Sequence, residues 1–235
     1  MIKLIAASTS TIHGSGFLEY LLPHLEKHFK SIENLLFIPY ARPGGISHDA
    51  YTSIVGDALS SLPFAVRGIH EFDDPVKAIG EAEAIYVGGG NTFVLMDQLI
   101  SSGLIDVLKH KIKAGTPYLG TSAGSNIVGL NVKTTNDMPI VHPKSLNALD
   151  LIPFNINPHY LDPDPDSKHK GETRETRIKE FHAYNDTSVI GLREGSWIEV
   201  NGDMCVLKGI LTARVFKKDT DPFEILPGTH LDKIL

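Results

Sequence analysis

Short apolar runs alternate along this chain with stretches in which apolar residues recur every three or four positions. Residues 3–6, 35–39, 65–69, 84–87 and 117–119 read as strands, and residues 17–29, 49–60, 75–80 and 92–101 as the helices between them. Strand-helix alternation of this kind predicts an α/β fold, a doubly wound and mostly parallel sheet flanked by helices. Leu99-Ile100, Leu104-Ile105, Val107-Leu108 and Ile112 continue the helical spacing up to Gly115, a stop signal just before the strand around Tyr118. Beyond residue 128 the texture changes to Asn/Pro-rich loops, then a charged helix from about Thr173 to Phe181. Strand-like runs follow at Val189-Ile190, residues 197–200, Cys205-Val206 and residues 214–216, expected to extend the same sheet as mixed or antiparallel strands. No composition shift or Gly/Ser-rich linker divides the 235 residues, so residues 1–235 read as a single domain.

Charge narrows the range of partners. Lys+Arg number 22 against 28 Asp+Glu, a formal net charge of −6, and no long basic run occurs. Nucleic acid and anionic membrane surfaces are therefore poor partners, and small molecules or peptides good ones. The apolar opening, residues 1–7, breaks at Ser8-Thr9-Ser10, too short for the core of a signal peptide, and no stretch approaches a membrane-spanning length. Cys205 is the only cysteine, which excludes an internal disulfide and points to the cytoplasm. A monomer or a homodimer is expected.

The candidate chemistry centres on Gly120-Thr121-Ser122-Ala123-Gly124. A serine flanked by small residues suits a sharp strand-to-helix elbow that lifts the hydroxyl above a sheet edge. Residues 123–128 would open the following helix, bringing the Ala123 amide to the positive end of its dipole as one half of an oxyanion hole. Gly88-Gly89-Gly90-Asn91-Thr92 follows another strand. It lacks the spacing of a dinucleotide fingerprint and the Lys-Ser/Thr of a phosphate-binding loop, so no nucleotide cofactor is expected. Its better use is to complete the oxyanion hole with Gly89 or Gly90 and to present Asn91 to substrate. A serine also needs a base and an acid to orient that base. His159 is the best-placed histidine, because Asn155-Ile156-Asn157-Pro158-His159 ends a strand-like run and enters a Pro/Asp-rich loop. For the acid, Asp137 and Glu194 both lie on polar turns, and spacing does not separate them.

Six blocks together resemble a known family: Gly88-Gly89-Gly90-Asn91-Thr92, Gly120-Thr121-Ser122-Ala123-Gly124, Thr134-Thr135-Asn136-Asp137-Met138-Pro139, Ile156-Asn157-Pro158-His159, His169-Lys170-Gly171-Glu172-Thr173-Arg174 and Glu194-Gly195-Ser196-Trp197. In this order, over nearly the whole chain, they are similar to peptidase E, the α-aspartyl dipeptidases of bacteria. The resemblance implies a class I glutamine amidotransferase-like fold with serine in place of cysteine, and cleavage of dipeptides with an amino-terminal aspartate without a metal. It matches Ser122 to the nucleophile and His159 to the base, and leaves Asp137 and Glu194 both open as the acid. The acid outside the triad is a candidate for the substrate's α-ammonium. Arg174 is the expected partner of the substrate's acidic side chain, since a guanidinium binds a carboxylate bidentately. Thr121 departs from the tryptophan of the best-known members, a change expected in the wall beside the nucleophile. Three other readings stay open: a relative of cyanophycinase that cuts β-aspartyl-arginine units, a non-catalytic binding protein on the same scaffold, and a lipase-like esterase.

Overall fold

A computed structural model describes residues 1–163, 166 and 171–234. Its first half is the expected succession of strands and crossover helices: β1 (Lys3–Ala7), α1 (Leu22–His28), β2 (Asn34–Ile38), α2 (His48–Ala58), β3 (Ala65–Gly68), α3 (Pro75–Glu81), β4 (Ala84–Val87), α4 (Thr92–Ser101), α5 (Ile105–Lys113) and β5 (Tyr118–Thr121). These strands lie in a seven-stranded sheet ordered β3-β2-β4-β5-β1-β8-β9, in which the first five are parallel. β8 (Ser196–Asn201) and β9 (Met204–Gly209) close one edge in antiparallel pairing. Both faces of the sheet are covered. Leu4, Ile85, Val87 and Tyr118 pack into one layer with α3, α4 and α5, and Ile5, Leu35, Phe37, Tyr86 and Leu119 into the other with α1 and α2. Burial on both sides explains why these strands read as continuous apolar runs.

Local chemistry sets most boundaries. Ser47, Asp74, Asn91 and Thr173 each cap a helix by accepting an amide three residues on. Pro23 in its first turn starts α1 at Leu22, after a short 3₁₀ turn at Glu19–Leu21, later than the predicted residue 17. The helical spacing running from residue 92 to Ile112 belongs to two helices, because Gly103 takes φ +66 and breaks the pattern.

The second half departs from expectation. Only β8 and β9 extend the main sheet. β6 (Asn155–Pro158), β7 (Val189–Leu192), β10 (Ala213–Phe216) and β11 (Phe223–Ile225) form a separate four-stranded sheet, ordered β11-β10-β7-β6. The chain changes sheets at the tight turn Arg193-Glu194-Gly195, where Ser196 N donates to Arg193 O and Gly195 adopts φ +84. The charged helix, α7 (Arg174–His182), begins one residue past Thr173, and Glu175 pairs with Lys179 at 2.8 Å as its spacing predicts. Among the described residues no helix is long and apolar enough to cross a membrane.

Candidate active site

The carboxyl ends of β5, β6 and β7 meet at one rim, and each delivers one side chain. Ser122 follows β5 directly, with φ +53 and ψ −109, a conformation that costs a non-glycine residue about 1–3 kcal/mol. Its glycine neighbours make the elbow feasible. A Cβ on Gly120 would lie 2.3 Å from Gly124 O, and one on Gly124 would lie 2.2 Å from Val87 O. The helix behind it, α6 (Ala123–Asn126), is a single turn rather than the predicted run to Val128. One turn carries little macrodipole, so what it offers an oxyanion is its orphan amides. Thr121 does not form a wall of the site: it is fully buried, and its Oγ1 meets Tyr86 OH at 3.0 Å inside the core.

His159, just past β6, also takes a left-handed backbone, φ +52. Its amide donates to Ser8 Oγ at 2.8 Å, and that hydroxyl donates in turn to Leu192 O at 2.8 Å. The imidazole lies between two oxygens. Nδ1 is 2.6 Å from Glu194 Oε1, and Nε2 is 2.9 Å from Ser122 Oγ. A carboxylate only accepts, so Nδ1 carries a proton, and in the neutral ring the Nε2 lone pair then faces the serine hydroxyl. A hydroxyl bonded to a neutral, carboxylate-oriented imidazole can give up its proton as it attacks a carbonyl.

Asp137 is not the carboxylate beside the histidine. Its Oδ2 accepts from Thr92 N at 2.7 Å and Thr135 Oγ1 at 3.0 Å, which holds it over the first turn of α4. Asn91, expected to face substrate, is instead structural: Oδ1 caps α4 by accepting from Val94 N at 3.1 Å, and Nδ2 donates to Met138 O at 2.8 Å. Arg174 opens α7, has no ion pair or hydrogen bond among the described residues, and is half-buried. Burial holds its guanidinium below the ordinary arginine value, helped by Arg177, while the charges of Glu194 and Asp137 pull the other way. Arg174 thus lies within electrostatic reach of both acids. His169 and Lys170 of the same motif, and the Lys168 start of the charged stretch, lie outside the described residues.

The glycine turn after β4 lies against the elbow. A Cβ on Gly89 would stand 3.0 Å from Ser122 Cβ, a tight fit, and Gly90 combines φ +145 with a Cβ position 2.2 Å from Ala41 O, which leaves no room for a side chain there. Gly89 O accepts from Tyr51 OH at 3.2 Å and from Arg42 Nε at 3.3 Å. The amides of Gly89 and Gly90 donate to no acceptor among the described residues. Sequence reasoning missed Ser8, Arg42 and Tyr51. The position of Ser8 at the carboxyl end of a parallel strand, the edge where α/β sites form, was the available signal.

The model of the family described as peptidase family S51 matches residues 4–208 of the chain. The chain belongs to peptidase family S51. Similar proteins include "Peptidase E" of Streptomyces coelicolor, 47% identical with 100% of this chain and 95% of that protein covered. A Drosophila melanogaster protein named "Probable alpha-aspartyl dipeptidase" is 46% identical, covering 99% of this chain and 97% of its own. Among solved structures, a peptidase from an acI-B1 actinobacterium superposes with a TM-score of 0.72 at 18% identity, over 98% of this chain and 96% of that one. The expected family and α/β fold are thus both found, and the S51 chain spans nearly the full length of these relatives.

Proposed function

We propose that this S51 peptidase hydrolyses dipeptides with an amino-terminal aspartate through an acyl-enzyme on Ser122. The observation that carries this reading is the unbroken line Glu194 Oε1, His159, Ser122 Oγ, with separations of 2.6 and 2.9 Å. As Ser122 Oγ attacks the scissile carbonyl, its proton passes to His159 Nε2, and Glu194 steadies the imidazolium that forms. His159 then protonates the leaving amine, which departs as the free carboxy-terminal amino acid. A water, deprotonated by the same nitrogen, attacks the ester and releases aspartate. Gly89 or Gly90 and Ala123 supply amides to the oxyanion.

Arg174, a cation without a partner among the described residues, takes the β-carboxylate of the substrate. Asp137 keeps one oxygen, Oδ1, free of the α4 contacts and receives the α-ammonium. Two charges of opposite sign placed this way select a free amino-terminal aspartate and reject its amide. The same reading assigns the protein to the cytoplasm, as a monomer or homodimer. The test compares Asp-Leu with Glu-Leu, Asn-Leu, N-acetyl-Asp-Leu and the β-linked isomer, using wild type and Ser122→Ala. Asp-Leu is expected to be cut far faster than the others, and Ser122→Ala to be inactive. Equal cleavage of Asn-Leu would remove Arg174 from its role, and preference for the β-linked isomer would overturn the substrate assignment.

A further inference from the structure

The carbonyl of Gly89, in the turn that abuts Ser122, accepts two hydrogen bonds. Tyr51, on the buried face of α2, donates its hydroxyl at 3.2 Å, and Arg42 donates Nε at 3.3 Å. The pair is a unit: the Arg42 guanidinium lies over the Tyr51 ring, 4.8 Å from its centroid. Burial raises the Tyr51 phenol above its ordinary value, so the hydroxyl stays protonated and donates. Both lone pairs of one carbonyl are therefore occupied, one of them by a cation.

In a trans peptide the N–H points opposite to the C=O, and no cis peptide occurs in the chain. Fixing Gly89 O toward Arg42 and Tyr51 therefore aims Gly90 N–H away from them, and the same turn abuts the nucleophile elbow, a Cβ on Gly89 standing 3.0 Å from Ser122 Cβ. Hydrogen bonds in a chain also polarise one another, so donation into a carbonyl strengthens the N–H of the same peptide as a donor. Gly90 N–H has no acceptor among the described residues. We propose that Arg42 and Tyr51 are positioning residues that orient and polarise the Gly89–Gly90 peptide, making Gly90 N–H, rather than Gly89 N–H, the oxyanion donor on this side of the site. The inference rests on the serine-peptidase reading above. It explains why a surface arginine is laid over a core tyrosine instead of extending into solvent, and why φ +145 at Gly90 is kept with no space for a side chain.

The test uses the full chain with Tyr51→Phe, which keeps the ring, and Arg42→Met, which keeps the stem over it. With Asp-Leu, kcat is expected to fall about tenfold in the first and about 10- to 100-fold in the second, less than the loss from deleting an oxyanion donor outright. KM and the inhibition constant of the product aspartate are expected to stay within about threefold. Inhibition by aspartyl aldehyde, whose adduct carries the oxyanion, is expected to weaken in step with kcat, a readout that loss of folded protein would not produce. Arg42→Lys is expected to recover only part of the rate, because an ammonium lacks the fixed Nε geometry. Unchanged kcat in both variants, or a rise in KM and in the aspartate constant with kcat intact, overturns the proposal. If wild type leaves Asp-Leu whole, the substrate reading fails by itself. The peptide strap is then judged by the acylation rate of Ser122 with p-nitrophenyl acetate, whose tetrahedral step needs the same donors, with the same ordering of variants expected.

Discussion

Replacing Glu194 by glutamine removes the charge beside His159 while leaving an amide oxygen that can still accept from Nδ1–H. The carboxylate lies 2.6 Å from that nitrogen, and its side chain is 47% exposed. At that separation a unit charge stabilises an imidazolium by about 1.5 kcal/mol in a fully aqueous dielectric and by about 6 kcal/mol at the effective value for a site near a protein surface. Half-exposure puts the pair between these limits, near ~3 kcal/mol, or about a hundredfold in rate. The loss should appear in kcat for Asp-Leu under saturating substrate, with KM little changed, because the imidazolium exists only once the serine proton has moved. Asp137→Asn is the matched control. Its oxygen can still accept from Thr92 N, so α4 stays capped, but the charge offered to the substrate ammonium is gone. A rise in KM of about tenfold, with kcat within about threefold, is expected there. If Asp137→Asn lost the turnover and Glu194→Gln the affinity, the roles drawn from the 2.6 Å contact would be reversed and the mechanism wrong.

Ser8→Ala leaves the His159 amide without its acceptor, a penalty of about 1–3 kcal/mol. Both the unfolding midpoint and kcat should fall, while unchanged kcat in the folded fraction would show that the Ser8 bond does not hold the imidazole in place. His28, whose Nε2 donates to Tyr118 O at 3.0 Å, is pushed down from 6.5 to about 4, chiefly by burial. Its folded-state value lies below the unfolded one, so its contribution is complete above about pH 6.5 and is lost as pH falls toward 4, up to roughly 3 kcal/mol. Urea unfolding at pH 7.5 and pH 5 should show that loss reduced in His28→Gln, and an equal loss in both proteins would exclude His28 as its source.

The α/β half of the molecule was legible because parallel strands buried on both faces leave apolar runs that local pattern can detect, as Ala84–Val87 and Tyr118–Thr121 do. The second sheet was not. Val189–Leu192 and Ser196–Asn201 look alike as short apolar segments three residues apart, yet one pairs with β6 and β10 and the other with β1 and β9. Periodicity reports which face of a strand is buried and carries no information about which sheet receives it. That choice is made at Gly195, in a turn whose flanking residues Arg193 and Ser196 bond Thr212 O and Leu211 O, distant in sequence. Which carboxylate meets His159 was illegible for the same reason: Asp137 is engaged by Thr92, 45 residues earlier, and Glu194 reaches His159 across 35.

The nucleophile elbow could be read from five residues, whereas the distance between Ser122 and His159 could not, because neither residue sets it. Both sit in left-handed conformations at the ends of strands from different sheets, and each is anchored through its amide. Ser122 N donates to Ala7 O at 3.1 Å, and His159 N to Ser8 Oγ at 2.8 Å. Ala7 O also accepts from Ser125 Oγ in α6, and Ser8 N reaches Ser196 O at the start of β8. Two consecutive residues at the end of β1 thus bear the strain of both functional backbones and join the two sheets where the site forms. With about 1–3 kcal/mol at each strained position, relaxation of either would be favourable unless the joint over-determined it. The apolar run that breaks at Ser8 is therefore both the end of a strand and the part that keeps an alcohol and an imidazole 2.9 Å apart.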